Sequence, residues 1–372
     1  MNIATENKNL TQVISIQIVE ADYADTVKKA LNKLQHEAKI PGFRPGHVPF
    51  GMINKMYGKS ILADELNKLI SDNLFKYIED NKIKTLGQPL PVEDVQKMDI
   101  ENDKDFTAVF EVGIQPEFDI DLAQIEVVKN EITLSDKFLT SEIEKVKGEF
   151  EKYKTEMKEN KEAKESMESE DGSEKAEIPE LNLYEYVFGK GVVDTEAQFN
   201  EKFKEELTKS FRRSADNKFI KDAQDALIDN VKFDLPDKFM KRWLIESNND
   251  EKHPLTAENI DAEYDDKFVK SLRLQIIENK MFEKYDVKIE ENDLKQYYIE
   301  KVLSQYFPND GSEENKKRME ELAASLLKED QKITKQLYEA VFDNKMAELL
   351  KNHLKIKKTK INAEKFRKSL EK

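Results

Sequence analysis

Hydrophobic residues near the N-terminus follow first a period of two and then a helical period. Ile14, Ile16 and Ile18 alternate with polar neighbours, which predicts a strand with one buried face. Apolar residues then recur at steps of three and four, as on one face of a helix that Pro41–Gly42 ends. The members of this face are Val27, Leu31, Leu34 and Ala38.

A longer apolar stripe predicts a second helix, which begins near Pro49 and continues beyond Gly58 for about five turns. Its members are Ile61, Leu62, Leu66, Leu69, Ile70, Leu74, Tyr77 and Ile78. After a turn at Gly87–Gln88–Pro89, alternation resumes and predicts a strand able to pair with the first. This strand contains Phe106, Ala108, Phe110 and Val112. Residues 1–115 are therefore predicted to form a small α+β domain.

The next segment, residues 116–177, is predicted to be an extended linker with a charged helix. Ile125 and Val127 indicate a short strand, and Glu142–Glu177 then contains 13 acidic and 8 basic residues. Because such a charged segment cannot build an apolar core, a solvated helix followed by a loose linker is favoured over a binding role for the charges.

Residues 178–372 are predicted to form an extended all-α domain with helical arms, divided by breaks at Pro236, Pro254 and Pro308. Two apolar bands carry this prediction: Phe199, Phe203, Leu207 and Phe211, and Leu337, Tyr338, Val341, Phe342, Met346, Leu349 and Leu350. A helix between them has two stripes, so it is either buried on two sides or exposes apolar surface. The stripes are Phe268, Val269, Leu272 and Ile276, and Leu274, Ile277 and Met281.

Composition excludes several classes of function. The 372 residues contain no cysteine and only four histidines, which excludes disulfides, thiolate metal sites and cysteine nucleophiles. No phosphate-binding glycine loop or nucleophile elbow is present, so no metal, cofactor or catalytic residue is expected. No run of about 18 apolar residues occurs, which favours a cytoplasmic protein without a membrane partner.

The distribution of charge singles out one loop. The net charge is -15, yet residues 26–63 contain seven cations and one anion. Within them, Ile40–Pro49 places a phenyl ring and a guanidinium between glycines and prolines, which stiffen a loop tip. Phe43 and Arg44 in such a loop suit a surface that offers phosphates beside an apolar recess, as a ribosome does. The residues alone leave open that Phe43 packs into the domain's own core.

The run Gly42–Phe43–Arg44–x–Gly46–x–x–Pro49, followed by Tyr57–Gly58 and the long helix, resembles the ribosome-binding signature of trigger factor, a family of bacterial chaperones. The resemblance covers residues 1 to about 115 well and residues 178–372 more loosely. The residues it implies for ribosome binding, with neighbouring lysines, are Gly42, Phe43, Arg44, Pro45, Gly46, His47, Pro49, Lys39, Lys55 and Lys59. Many members have lysines in place of Pro45 and His47, so ribosome affinity here is expected to be lower or to depend more on the neighbouring lysines.

The chain departs from this family at one point. Family members usually have a prolyl isomerase domain of FKBP type, about a hundred residues long, between the linker and the helical domain. Between Gly148 and Ile178 this chain has about thirty residues with one glycine and one tyrosine, too few for that fold. Asp171–Gly172–Ser173 is interpreted as the seam, and the chain is not expected to be an enzyme.

The resemblance implies an ATP-independent holdase that docks on a ribosomal protein and rRNA at the exit tunnel and shelters nascent or unfolded polypeptides. Methionine and aromatic side chains suit promiscuous surfaces of this kind. The candidates for client contact are Met281, Phe282, Tyr297, Tyr298, Tyr338, Phe342 and Met346, although a core position is favoured over a contact for each of them taken singly. The alternatives are a prolyl isomerase, as in full-length relatives, and a helical scaffold without ribosome contact. The sequence leaves open whether the free protein forms a homodimer.

Overall fold

The computed structural model describes residues 1–41, 43–44, 47–92, 103–165, 181–248, 253–307 and 312–371. The strands are β1 (Asn2–Lys8), β2 (Thr11–Ile18), β3 (Thr85–Pro91), β4 (Phe106–Ile114), β5 (Glu126–Thr133) and β6 (Lys355–Asn362). The helices are α1 (Glu20–Glu37), α2 (Phe50–Asp80), α3 (Asp136–Glu165), α4 (Leu183–Phe188), α5 (Glu196–Asn230), α6 (Asp237–Ser247), α7 (Ile260–Glu263), α8 (Val269–Lys284), α9 (Glu291–Tyr298), α10 (Ser304–Tyr306), α11 (Glu313–Glu329), α12 (Gln331–His353) and α13 (Ala363–Leu370). The chain divides into two compact units, residues 1–119 with 231–277, and residues 120–230 with 278–372.

The first unit contains an antiparallel sheet in the order β1-β2-β4-β3. β2 and β4 pair as the alternating patterns predict, with Ile14 opposite Phe110, Ile16 opposite Ala108 and Ile18 opposite Phe106. These side chains form one core with Leu66, Ile70 and Leu74 of α2, so the predicted α+β arrangement is confirmed. β1 and β3, by contrast, were not indicated by the sequence pattern.

The other face of β4 and β3 is covered by the helical segment 231–277. A Cβ atom added at Gly113 of β4 would lie 2.6 Å from the ring of Phe239. A Cβ atom added at Gly87 of β3, whose φ is +73°, would likewise lie 2.9 Å from the indole of Trp243. Because neither glycine has a side chain, α6 lies directly on the two strands. Other apolar members of this core are Leu86, Leu90, Leu235, Met240, Tyr264 and Ile276.

Polar contacts fix the position of α6. Arg242 donates from Nη1 to Glu111 Oε2 of β4 and from Nη2 to the carbonyl oxygen of Pro91, both at 3.0 Å. The buried hydroxyl of Tyr264 donates to Asp237 Oδ1 at 2.8 Å, and burial is the main cause that raises the pKa of Tyr264. The segment is therefore held to the sheet by an apolar core with a polar margin.

This grouping differs from the predicted domains, residues 1–115, 116–177 and 178–372. Residues 231–277, which the sequence pattern assigns to the helical domain, pack on the N-terminal sheet. The apolar spacing of a helix shows that one face is buried but not which partner covers it. The domain boundaries at residues 115 and 177 therefore stay a prediction.

The second unit is organised around β5 and β6, which pair in parallel. Phe138 of α3, Phe211 of α5 and Phe366 of α13 meet in one core beside them. Arg367 forms a bidentate ion pair with Glu142, at 3.0 and 2.8 Å, that ties α13 to α3. α3 is the predicted charged helix, whereas Asp171–Gly172–Ser173 lies outside the described residues.

Most of the C-terminal region is helical, as predicted, with one exception. Leu294, Leu337 and Val341 join α9 to α12. The expectation that every residue from 178 onward is helical is wrong for β6, because this strand is specified by its long-range pairing with β5 and its lysines do not favour strands locally. None of the helices in the described ranges has the combination of length and apolar character needed to cross a lipid bilayer.

Both apolar stripes of the helix that includes α8 are at least partly buried. Ile276, Ile277 and Met281 have essentially no exposed surface. Of the two interpretations that the sequence left open for this helix, burial on two sides is the one observed.

We expect Gly113→Ala to destabilise the first unit by about 1–3 kcal/mol, because the added methyl group would overlap Phe239 and the carbonyl oxygen of Leu86. Trp243 is the only tryptophan, so its fluorescence reports α6 directly, and both its emission and the melting temperature should change. Gly51→Ala is the matched control, since nothing lies within 4 Å of the added atom. A Gly113→Ala protein as stable as the parent would show that α6 does not lie on β4.

Candidate functional site

The loop between α1 and α2 is fixed at its second half. Val48 is buried with Leu31 of α1 and Ile53 of α2. Its carbonyl oxygen accepts a hydrogen bond from Gln35 Nε2 at 2.6 Å. Pro49, which is exposed, precedes the first residue of α2. The base of the loop is therefore part of the helical hairpin.

Phe43 and Arg44 lie in the part of the loop that is not packed. Phe43 is 37% exposed and does not belong to the core around Val48. Its N–H donates to the carbonyl oxygen of Ile40 at 3.1 Å, and the N–H of His47 donates to that of Arg44 at 3.0 Å. These turns fold the loop while leaving both side chains exposed. Val48 enters the core and Ile40 packs against it, whereas Phe43 is not a member of this core.

The predicted basic residues lie in the loop and in the first turns of α2. Lys39, Arg44 and Lys55 are exposed and form no ion pair with any residue in the described ranges. Lys59 and His47 are also exposed. The positive charge of Lys39, Arg44 and Lys55 is thus not compensated locally, and it favours an anionic partner. The remaining predicted residues, Gly42, Pro45 and Gly46, lie outside the described residues.

The first turns of α2 add apolar surface that the sequence analysis did not assign to the site. Met52 is exposed and Met56 is 54% exposed. With Lys55 and Lys59 they follow the spacing i, i+3, i+4, i+7, which places them on one helix face. Further along α2 the stripe is covered by the sheet, through Leu66. The first turns of α2 pack on α1 through Ile53, and their face with Met52 and Met56 stays exposed.

A sequence signal for Met52 and Met56 did exist. The apolar period of α2 extends back to Met52, ahead of the point at which the sheet covers the helix. An apolar stripe longer than its covering partner indicates a surface left for a second partner.

The predicted client-contact residues divide into buried and exposed side chains. Met281 and Met346 are buried, at 0% and 2% exposure, and therefore belong to the core. Phe282, Phe342, Tyr297 and Tyr298 are partly buried, and the rings of Phe282 and Phe342 are in contact, with centroids 4.5 Å apart. Tyr338, at 49% exposure, is the member of the set best placed to contact another molecule.

Two carboxyl groups, Glu278 of α8 and Asp343 of α12, have raised pKa values. Glu278 accepts a hydrogen bond from Gln224 Nε2 at 3.2 Å. Burial, followed by the neighbouring charge of Asp343, raises the pKa of Glu278, and burial with the charge of Glu339 raises the pKa of Asp343. Neither group has an ion-pair partner among the residues that the structure describes. The ionised form of Glu278 therefore opposes folding.

The fold and the loop define a class of proteins in which an α+β domain with an exposed apolar and basic loop is joined to a helical domain. Two family descriptions match the chain, "Bacterial trigger factor protein (TF)" over residues 1–146 and "Probable trigger factor, C-terminal domain" over residues 215–370. The chain belongs to the trigger factor family. The described residues between the two matched regions, 147–165 and 181–214, are mainly helical.

Individual relatives agree with this assignment. The trigger factor of Bartonella bacilliformis is 28% identical over 144 residues, 38% of this chain and 30% of that protein. The trigger factor of Thermodesulfovibrio yellowstonii is 38% identical over 133 residues, 35% of this chain and 31% of that protein. The chain thus matches about a third of the length of these curated relatives.

A solved structure shows the same fold over most of the chain. It comes from work on promiscuous substrate recognition in folding and assembly activities of the trigger factor chaperone. It has a TM-score of 0.53 and 16% sequence identity, and the likeness covers 94% of this chain and 99% of the other. At this identity the likeness concerns the fold alone.

We expect Glu278→Gln to raise the melting temperature at neutral pH. The raised pKa means that the folded state binds the proton of Glu278 more tightly than the unfolded state does. The protonated carboxyl group is therefore tolerated in the fold, and the free energy of unfolding falls as pH rises from the ordinary pKa through the raised pKa of this group. The advantage of glutamine should therefore shrink as the pH falls below the ordinary pKa. Thermal melts across this range would measure it.

Glu205→Gln is the matched control, because a hydrogen bond from Lys209 lowers the pKa of Glu205 and its replacement should give no increase in melting temperature. A Glu278→Gln protein that is less stable at every pH would contradict the assignment.

Proposed function

We propose that this chain is a cytoplasmic, ATP-independent, ribosome-associated chaperone that holds nascent or unfolded polypeptides. The observation that carries the proposal is the exposed pair Phe43 and Arg44, presented by a loop whose base is fixed by Val48. Membership of the trigger factor family supports the same function.

Docking on the ribosome would combine two kinds of contact. Arg44, Lys39 and Lys55 suit rRNA phosphates, since their charges are uncompensated among the described residues. Phe43 suits an apolar recess on a ribosomal protein, and the exposed face with Met52 and Met56 enlarges the apolar part of the contact. The fixed base of the loop reduces the entropy lost on binding.

Holding a client requires accessible apolar area together with solubility. Tyr338 supplies exposed aromatic surface on α12, and weak contacts of this kind gain affinity when several act on one chain. The net charge of -15 keeps such a surface soluble. The related protein of known structure is described by its promiscuous substrate recognition, which supports this part of the proposal.

We expect the double variant Phe43→Ala/Arg44→Ala to lose about 2 kcal/mol or more of ribosome-binding free energy, because it removes the apolar anchor and the guanidinium together. Co-sedimentation of the purified full chain with ribosomes would measure the loss. The melting temperature should stay the same, since both side chains are exposed. Binding should also weaken as salt rises.

The matched control is Phe75→Ala/Lys76→Ala, an exposed phenylalanine and lysine at the far end of α2, where Phe75 is 57% exposed. It should pellet with ribosomes like the parent. Equal pelleting of the Phe43/Arg44 variant would exclude this loop as the docking site, and a large fall in its melting temperature would give Phe43 a structural role.

For the client surface, we expect Tyr338→Ala to reduce suppression of client aggregation without changing the melting temperature, because the ring is half exposed. Met281→Ala should instead destabilise the fold by about 2–5 kcal/mol, as a cavity in a core does. Light scattering of an unfolded client and thermal melts separate the two effects. If Tyr338→Ala suppresses aggregation as well as the parent, this side chain does not contact clients.

The chain is further predicted not to accelerate cis/trans isomerisation of proline peptides, a reaction that takes tens of seconds or longer without a catalyst. An isomerisation assay with a proline peptide tests this, and acceleration in proportion to protein concentration would contradict it. Analytical ultracentrifugation would measure whether the free protein forms a homodimer.

A further inference from the structure

The sheet of the second unit has an open edge at β6. α5 packs against β5, which pairs in parallel with β6. In the described part of the chain, no strand pairs with the outer edge of β6. An open strand edge is a template for another strand.

The backbone of β6 shows which groups point outward. The N–H of Lys355 donates to the carbonyl oxygen of Ile125 at 3.1 Å, which fixes the residues whose backbone groups face β5. The hydroxyl of Thr133 in β5 donates to the carbonyl oxygen of Ile361 at 3.4 Å, in agreement with this phase. Backbone groups alternate in direction along a strand. The N–H and C=O groups of Lys355, Lys357, Thr359 and Ile361 therefore face β5.

The outward backbone groups therefore belong to the alternate residues of the strand. They are the N–H and C=O of Ile356, Lys358 and Lys360, and none of them forms a hydrogen bond with a residue in the described ranges. The side chains of Lys358 and Lys360 are exposed and share one face of the strand.

The same strand lies in a basic segment of an acidic protein. Residues 351–372 contain nine cations and two anions. Lys355 pairs with Glu126 at 2.8 Å and Lys358 with Glu131 at 3.5 Å, but all four side chains stay substantially exposed, so these pairs are weak. Lys357 and Lys360 form no ion pair with a described residue. The edge thus combines unpaired backbone groups with positive charge.

We propose that the outer edge of β6 binds an extended acidic peptide segment of a client chain, which adds as a third strand to the β5–β6 sheet. Backbone hydrogen bonds to Ile356, Lys358 and Lys360 supply affinity, and carboxylates at alternate positions meet Lys358 and Lys360. The inference rests on the proposed chaperone function only for the source of the peptide.

The open edge favours a peptide over the other candidates. A phosphate group accepts hydrogen bonds but donates none to a carbonyl oxygen, so phosphate contacts would leave the outward C=O groups of β6 unpaired. A second copy of β6 would place lysines opposite lysines, which is unfavourable. The lysines therefore discourage self-pairing and select acidic strands.

The test uses the full chain and a capped, fluorescein-labelled octapeptide of alternating glutamate and valine, equal in length to the eight residues of β6. Fluorescence anisotropy should show saturable binding that weakens as salt rises, and no binding of the peptide in which lysine replaces glutamate. Absence of binding by the glutamate peptide would overturn the proposal.

Two variants separate backbone pairing from charge. Lys358→Ala and Lys358→Pro remove the same charge, but only proline removes the outward N–H, and proline at such an edge position leaves the β5 ladder intact. We expect Lys358→Pro to bind at least about tenfold more weakly than Lys358→Ala. Equal affinities, or competition by an oligouridylate that the proline substitution does not affect, would overturn the proposal in favour of a general polyanion surface.

Two further measurements keep the test decisive. Lys365→Ala/Lys368→Ala removes exposed charge from α13 and should leave peptide binding unchanged.

If circular dichroism shows that Lys358→Pro misfolds, a peptide N-methylated at two consecutive central amides tests the same hydrogen bonds on the intact protein. It should bind at least about tenfold more weakly, and equal binding would refute strand addition. Ribosome co-sedimentation of Lys358→Ala should match the parent, so failure of this inference is distinct from failure of the proposed function.

Discussion

The close approach of α6 to two glycines of the N-terminal sheet is the contact on which the first unit depends. Phe239 and Trp243 occupy the space that side chains at Gly113 and Gly87 would fill. The sheet has apolar residues on both faces of β4, with Ala108 and Val112 toward α2 and Val109 also buried. A sheet of this kind needs cover on both sides, and residues 231–277 provide the second cover. A segment distant in sequence thus completes the core.

This core gives the candidate docking surface its rigidity. α2 is anchored to the sheet through Leu66, Ile70 and Leu74, and its first turns extend beyond that anchor. Val48 then fixes the loop to the hairpin and leaves Phe43 and Arg44 exposed. A rigid hairpin with an exposed ring and uncompensated cations suits binding to a surface of mixed apolar and phosphate character.

Periodicity predicts the elements that have one buried face, but not those defined by distant partners. The alternation at Ile14–Ile18 and the stripe of α2 identify their elements because each has a one-sided core. β1 carries no alternation, since most of its residues are exposed, and β6 is rich in lysine, which is rare in strands. For the candidate site, motif and charge single out Phe43 and Arg44, whose side chains are exposed. Met281 is buried, the outcome favoured for each client-contact candidate taken singly. Which side chains stay exposed could not be predicted, because two overlapping stripes do not identify them.

Native-state hydrogen exchange of the full chain tests most directly whether residues 231–277 and the N-terminal sheet form one core. If they do, the amides of β3, β4 and α6 open together, with the same free energy and the same dependence on denaturant. Exchange of the α6 amides at a much lower free energy, while β3 and β4 stay protected, would show that the helical segment is not part of the core and would contradict the account.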